Sequence, residues 1–204
     1  LLYLLGDLRY RLTSFSVCEF KPYVSNSFHC HVSEDITPIE KQNCEYMLPG
    51  LMNFLMYCVD TYITDYKLYG GKKLTYIANQ GALWYLQYLE NILHKALNTT
   101  EYKAPATYKQ TKSLVNGIIG YGNNMGEGWL LTAEMLELVH SGYKNIVCAQ
   151  PFGCLPNHIA GRGMINKIKE LCEDANIMAL DFDASASRVN QENRIKLMLA
   201  TAEK

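Results

Sequence analysis

The stretch Asn145-Ile-Val-Cys-Ala-Gln-Pro-Phe-Gly-Cys-Leu-Pro-Asn-His-Ile-Ala-Gly-Arg-Gly163 decides how the rest of the chain is read. It opens as a short apolar run of the kind a buried strand uses. Pro151 ends the run, because proline cannot donate to a ladder and biases its predecessor towards extended backbone. A polar loop punctuated by Gly and Pro follows, carrying Cys154, Asn157, His158 and Arg162, and a helix is expected to resume near Gly163. A strand, a loop with reactive side chains and a helix is the order in which open α/β sheets build sites, at the carboxyl ends of their strands.

Working outward, Ile177 to Phe182 reads as a second buried strand, ending in Asp181-Phe-Asp183. Between the two strands, Met164, Ile165, Ile168, Leu171 and Cys172 mark one face of a helix. After the second strand, Ser185 or Ser187 can cap a last helix packed through Val189, Ile195, Met198 and Leu199. Upstream, Leu114 to Ile119 reads as a strand, followed by the Gly-rich turn 120–128 and a helix from about Gly128 to His140 closed by Ser141-Gly142. The order from residue 114 is therefore strand, helix, strand, helix, strand, helix. That predicts an α/β fold with a Rossmann-like parallel sheet flanked by helices.

The amino-terminal part is less regular. Leu8 to Val17 has strand-forming residues without a clean apolar face, and Leu51, Leu55, Met56, Val59, Tyr62 and Ile63 follow helical spacing up to Gly70-Gly71. Lys73 to Ala78 alternates like a short strand, and Asn79-Gln80-Gly81 turns the chain into a helix. Its buried side is expected at Leu83, Leu86, Leu89 or Glu90, Leu93 and Leu97, with Trp84, Tyr85 and Tyr88 packing. The domain reading is an amino-terminal portion over 1–72 and a Rossmann-like domain over 73–204.

The 204 residues are 49% apolar and 19% charged, as in an ordinary globular protein, and the net charge is −1. Such a balance lacks the basic excess needed to grip a phosphate backbone, which excludes nucleic acid as an expected partner. The longest apolar stretch, Leu51 to Tyr66, is interrupted by Asn53, Asp60 and Asp65 and is shorter than the roughly 20 residues that span a bilayer. Seven cysteines, at 18, 30, 44, 58, 148, 154 and 172, include no Cys-x-x-Cys pair, so a reducing, cytoplasmic setting is expected. In His29-Cys30-His31 an extended backbone would turn the two histidines one way and the cysteine the other. The chain starts at Leu1 without an initiator methionine and reads as a piece of a longer polypeptide.

If the strands at 146–150 and 177–182 are neighbours, Cys154, His158 and Asp183 meet at one crevice, with the 120–128 turn on the same rim. Three chemistries compete there. Cys154 is a thiolate ligand to an iron–sulfur cluster, with other ligands from elsewhere. Alternatively Cys154 and His158 form a nucleophilic pair oriented by Asp183. In the third, the glycines around Gly126 and Glu127 cradle a phosphate-bearing ligand such as a coenzyme A thioester. Gly120-x-Gly-x-x-x-Gly126 is one residue longer than the dinucleotide fingerprint, and Gln150 stands where an acidic ribose contact is expected, which argues against a nicotinamide site. The plainer alternative is that the glycines only let helix and strand pack closely.

The linked segments Gly126-Glu-Gly-Trp-Leu-Leu-Thr-Ala-Glu-Met, Gln150-Pro-Phe-Gly-Cys-Leu-Pro-Asn-His-Ile, Gly161-Arg-Gly-Met, Asp181-Phe-Asp-Ala-Ser and Asn193-Arg-Ile-Lys-Leu-Met-Leu carry a family resemblance. Over residues 114–204 the chain resembles the C-terminal, dehydratase-like region of the large activase-related proteins of the 2-hydroxyacyl-CoA dehydratase system, the CoA-substrate-specific enzyme activase family. The resemblance implies ATP-driven, one-electron reductive chemistry on CoA thioesters, or activation of an enzyme that performs it. It implies partners in ATPase modules of the same polypeptide, with ATP bound there and not by this region, and in a 2-hydroxyacyl-CoA dehydratase. It also implies a cluster-ligand position at Cys154; the loop and the Gly-rich turn then give an expected cofactor- or ligand-binding set of Gly126, Glu127, Gln150, Asn157, His158, Arg162 and Asp183. The alternative is a catalytically silent domain that docks the ATPase modules or the dehydratase.

Overall fold

A computed structural model describes residues 17–22, 44–47, 49–100, 104–151, 153–182 and 188–202. It is a mixed α/β structure, mostly helical. The elements are strands β1 (Val17–Pro22) and β2 (Cys44–Met47), helices α1 (Leu51–Tyr69), α2 (Lys73–Leu97), α3 (Tyr108–Leu114) and α4 (Trp129–His140), strand β3 (Asn145–Pro151), helix α5 (Ile165–Leu171), strand β4 (Asn176–Phe182) and helix α6 (Arg188–Ala202). A π-helical turn (Asn157–Gly161) and a 3-10 turn (Arg162–Met164) lead into α5. Two compact units form: one takes in β1, β2 and Leu138–Lys204, the other Pro49–Glu137.

In the first unit the strand order is β2-β1-β3-β4. β3 and β4 pair in parallel, from Asn145 opposite Asn176 to Pro151 opposite Phe182. β1 runs antiparallel to both β2 and β3. Ile146, Val147 and Cys148 are consecutively buried, as a strand covered on both faces requires. The parallel pair is joined through α5, and α6 is tied back to β4 by Arg194, whose guanidinium donates to the Ala179 carbonyl at 2.7 Å. Among the described residues one parallel pair stands where three parallel strands were expected.

The third strand was misread for a local reason. Thr107 caps the start of α3 with a reciprocal pair of hydrogen bonds to Gln110, which sets Leu114 in a helix that ends at the Val115 C-cap. Residues 115–119 then turn, with Gly117 at φ +76°. Lys73–Ala78 is likewise the first part of α2, not a strand. A helical run through Leu97 follows without proline, and helix propagates readily once nucleated. Tyr76 then stacks on Tyr66 of α1 at 4.5 Å between ring centroids, a contact that helical geometry supplies.

The second unit is built on the α1–α2 pair and α4. Trp129 is buried against Tyr57 and Tyr121 in edge-to-face contacts at 5.2 Å each. The buried face of α1 carries Asn53, Met56, Tyr57, Asp60, Ile63 and Thr64, whereas Leu51 and Tyr62, expected inside, are exposed. On α2 the expectation is also corrected. Only Glu90 is buried; Leu83, Leu86, Leu89 and Leu97 are half-covered, Leu93 is exposed, and Trp84, Tyr85 and Tyr88 face out.

Gly128 is the tightest point of this unit. At φ +45° a Cβ there would lie 2.2 Å from the Asn123 carbonyl oxygen and 2.6 Å from the Tyr57 hydroxyl. Neither the backbone conformation nor the space admits a side chain. Gly128→Ala is therefore expected to lower unfolding free energy by at least about 2 kcal/mol, measured by urea denaturation; a loss below about 0.5 kcal/mol would contradict the packing described.

Candidate functional site

The register of β3 on β4 places Gln150 directly opposite Asp181 at the carboxyl end of the parallel pair. Parallel partners project to the same face, so the two side chains meet. Gln150 Nε2 donates to Asp181 Oδ1 at 2.5 Å and lies 3.2 Å from His158 Nδ1. A carboxylate only accepts, so the amide must present its NH2 group to Asp181. Its second hydrogen then points to His158 Nδ1, which acts as the acceptor. Gln150 is 1% exposed, and its Oε1 is buried with no hydrogen-bond partner.

Beyond Pro151, Gly153 at φ +75° bends the loop, and the Cys154 amide donates to the Pro151 carbonyl at 3.2 Å. The His158 amide donates to the Cys154 carbonyl at 3.0 Å. A wide turn follows, in which the Arg162 amide reaches the carbonyls of both Asn157 and His158. Such π-helical turns recur at functional sites because they offset side chains from the regular helical spacing. Asn157 is completely buried; its Nδ2 donates to Cys154 Sγ at 3.0 Å, and its Oδ1 has no partner. Cys154 and His158 are half-buried. Arg162 Nη1 sits 3.6 Å from Asp181 Oδ2, a solvent-screened pairing.

Cys154, Asn157, His158 and Arg162 thus share the loop that follows Gln150. Asn157 and Cys154 bond to each other, while Asp181 contacts Gln150 and Arg162 and reaches His158 through Gln150. Asp183, expected in that role, lies outside the described residues, as does His29-Cys30-His31. From the sequence, Asp181 reads only as the end of the second strand; its part depends on the strand register, which a sequence does not show. Cys148, at the strand centre, is buried. Among the described residues no group of three His, Cys, Asp or Glu side chains could hold a metal ion. A cluster wants several thiolates, so this loop offers a single sulfur ligand and does not hold a cluster by itself.

Gly126 and Glu127 belong to the helical unit. There the amides of Gly128, Trp129, Leu130 and Leu131 donate to the carbonyls of Met125, Asn123, Glu127 and Gly128. The start of α4 thus spends these donors on its own turn, and Glu127 is buried.

The helical unit also holds a buried polar network that the sequence reading passed over. Asp60 accepts from the Tyr108 hydroxyl at 2.8 Å and pairs with Lys112. Glu90 accepts from the Tyr108 amide at 2.7 Å. Glu137 accepts from the Ala106 amide at 2.9 Å and the Thr111 hydroxyl at 3.0 Å. Glu134 is completely enclosed, and neither of its oxygens has a partner. Burial pushes its carboxyl well above the usual range, and the nearby Glu137 and Glu127 add to the effect. Burial raises Glu137 in the same direction.

Searches against protein-family profiles, curated proteins and solved structures gave no match to the chain.

The buried acid makes stability depend on pH with a definite sign. Above about pH 4.3 the unfolded chain releases the Glu134 proton while the folded chain keeps it, so stability falls as pH rises towards the raised folded value. Glu134→Met removes the ionisation and keeps the volume. Urea denaturation from pH 5 to 7.5 is expected to show the variant losing less stability with pH, by up to about 1.4 kcal/mol per pH unit, and to leave it the more stable form at pH 7.5. Parallel curves for the two proteins would remove Glu134 as the cause.

Proposed function

We propose that the chain is the dehydratase-like part of an ATP-dependent activator or reductase acting in 2-hydroxyacyl-CoA dehydration or related reductive chemistry on CoA thioesters. On this reading the β3–β4 pair is the parallel part of a Rossmann-like sheet. The loop over 150–163 is its ligand site. One observation carries the reading: Asp181, Gln150, His158 and Arg162 form one set of polar contacts at the carboxyl ends of two parallel strands, where α/β sheets bind ligands, and the Asn157–Cys154 pair lies in the loop that follows. Of the linked sequence segments that resemble the CoA-substrate-specific activase family, those starting at Gln150, Gly161 and Asp181 fall in this region.

Cys154 is the cluster-ligand position in this proposal, as one sulfur among several. The remaining ligands come from outside the described residues. When bound, a cluster would supply one-electron transfer. The chain's own residues hold the sulfur through Asn157, with His158 and Arg162 further along the same loop. ATP binding belongs to other modules of the parent polypeptide, in a cytoplasmic setting. No described helix is long and apolar enough to cross a membrane.

A second reading, a non-catalytic domain that docks the ATPase modules of its own polypeptide, is favoured by the outer face of α2. Leu74, Ile77, Trp84, Tyr85, Tyr88 and Ile92 are all exposed on that helix. An aromatic side chain can bury roughly 150–250 Å². Together these residues offer an apolar face near the roughly 800 Å² per partner of a standard interface.

Iron and sulfide assays on the complete polypeptide, purified anaerobically, test the first reading. The expected result is a brown protein whose visible absorption falls at least twofold in Cys154→Ser; a complete protein with no iron, or a Cys154→Ser variant with unchanged iron and spectrum, would overturn the role of Cys154. Tryptophan emission tests the second. The chain has two tryptophans, Trp84 at 70% exposure and Trp129 at 1%. Docking predicts that emission assigned through Trp84→Phe shifts to shorter wavelength in the complete polypeptide. An unshifted Trp84 there excludes the docked face, and a shift that appears only on raising the concentration of this region alone points to self-association.

A further inference from the structure

We infer that Gln150 is a positioning residue that holds His158 as the neutral tautomer with hydrogen on Nε2, presenting that N–H to an uncharged oxygen acceptor, an acyl carbonyl, on the ligand of the 150–163 loop. The argument starts from Asp181. Its carboxylate requires a donor from Gln150, which turns the NH2 end of the amide towards it. The one remaining amide hydrogen faces His158 Nδ1 at 3.2 Å. A nitrogen that receives a hydrogen cannot also carry one, so the imidazole proton resides on Nε2. Gln150 is buried in the paired strand, and this keeps the amide from turning over.

The acceptor class follows from charge. Arg162 and Asp181 carry opposite charges 3.6 Å apart and offset one another, and the imidazole in this tautomer is neutral. A donor in such surroundings suits a neutral carbonyl better than a phosphate. Two buried carboxamide oxygens, Gln150 Oε1 and Asn157 Oδ1, stand in the same loop without donors. They suit a ligand that also carries N–H groups, as an amide-bearing thioester does. The choice of a thioester as probe rests on the dehydratase-like reading; the tautomer rests on the hydrogen bonds alone.

The test is a long-range proton–nitrogen correlation spectrum of ¹⁵N-labelled protein, with His158 assigned through His158→Gln. The expected pattern has hydrogen on Nε2 and an unprotonated Nδ1. Asp181→Asn and Gln150→Glu each relax or reverse it, and either one suffices if the other fails to fold. S-acetyl-N-acetylcysteamine, a small neutral thioester, is expected to move the His158 Nε2–H signal at least fivefold more than inorganic phosphate at equal concentration. A wild-type His158 protonated on Nδ1, or a pattern unchanged in both folded variants, overturns the positioning role. A response to phosphate but not to the thioester overturns the neutral acceptor, and no response to either overturns recognition through His158. Iron content is read separately, so failure of the cluster assignment leaves these outcomes intact.

Discussion

One carboxamide governs the loop unit. Gln150 has two amide hydrogens, and the parallel register sends one to Asp181 and the other to His158. Moving β3 by one residue along β4 would turn Gln150 to the opposite face, because side chains alternate along a strand. The apolar pairs Ile146–Ile177 and Val147–Met178 would lose their register in the same step. The burial that stabilises the parallel pair is therefore also what aligns the polar groups at its end.

The wide turn at 157–161 extends that alignment to sulfur. Asn157 is buried where a regular helix would favour an apolar residue, and it spends its amide hydrogen on Cys154. A buried amide left half-satisfied carries a desolvation cost of about 1–3 kcal/mol. Two such groups, at Gln150 and Asn157, lie within eight residues of one another. Unlike the unpaired Glu134 oxygens, which a retained proton can compensate, these two carboxamide oxygens can be satisfied only by an outside donor.

The helical unit follows a different logic. Its interior contains Asp60, Glu90, Glu134 and Glu137, and three of these are compensated by Lys112, hydroxyls or backbone amides. Glu134 has no such partner, and burial pushes its carboxyl towards the protonated form. Gly128 closes the turn into α4 at a distance no side chain would allow, and the first amides of that helix are consumed locally. Gly128 is therefore accounted for by its close packing against Tyr57 and Asn123.

What the sequence determined by itself was the local part of the answer. The β-branched, apolar composition of 146–148 and 177–180, bounded by Pro151 and by polar residues, was enough to locate both strands, and Ser141-Gly142 located the end of α4. The loop residues were legible because reactive side chains between a strand and a helix stand out in an otherwise apolar segment. Alternation at Lys73–Ala78 misled because six residues cannot distinguish a strand from the start of a 25-residue helix, whose stability accrues along its length. Only the tertiary structure decided that β1 enters the sheet antiparallel, that Asp181 is the carboxylate of the loop, and that Asn53 and Asp60 point inward while Trp84 points out. These depend on register and on which face finds a partner, and both are set by contacts between residues far apart in the chain.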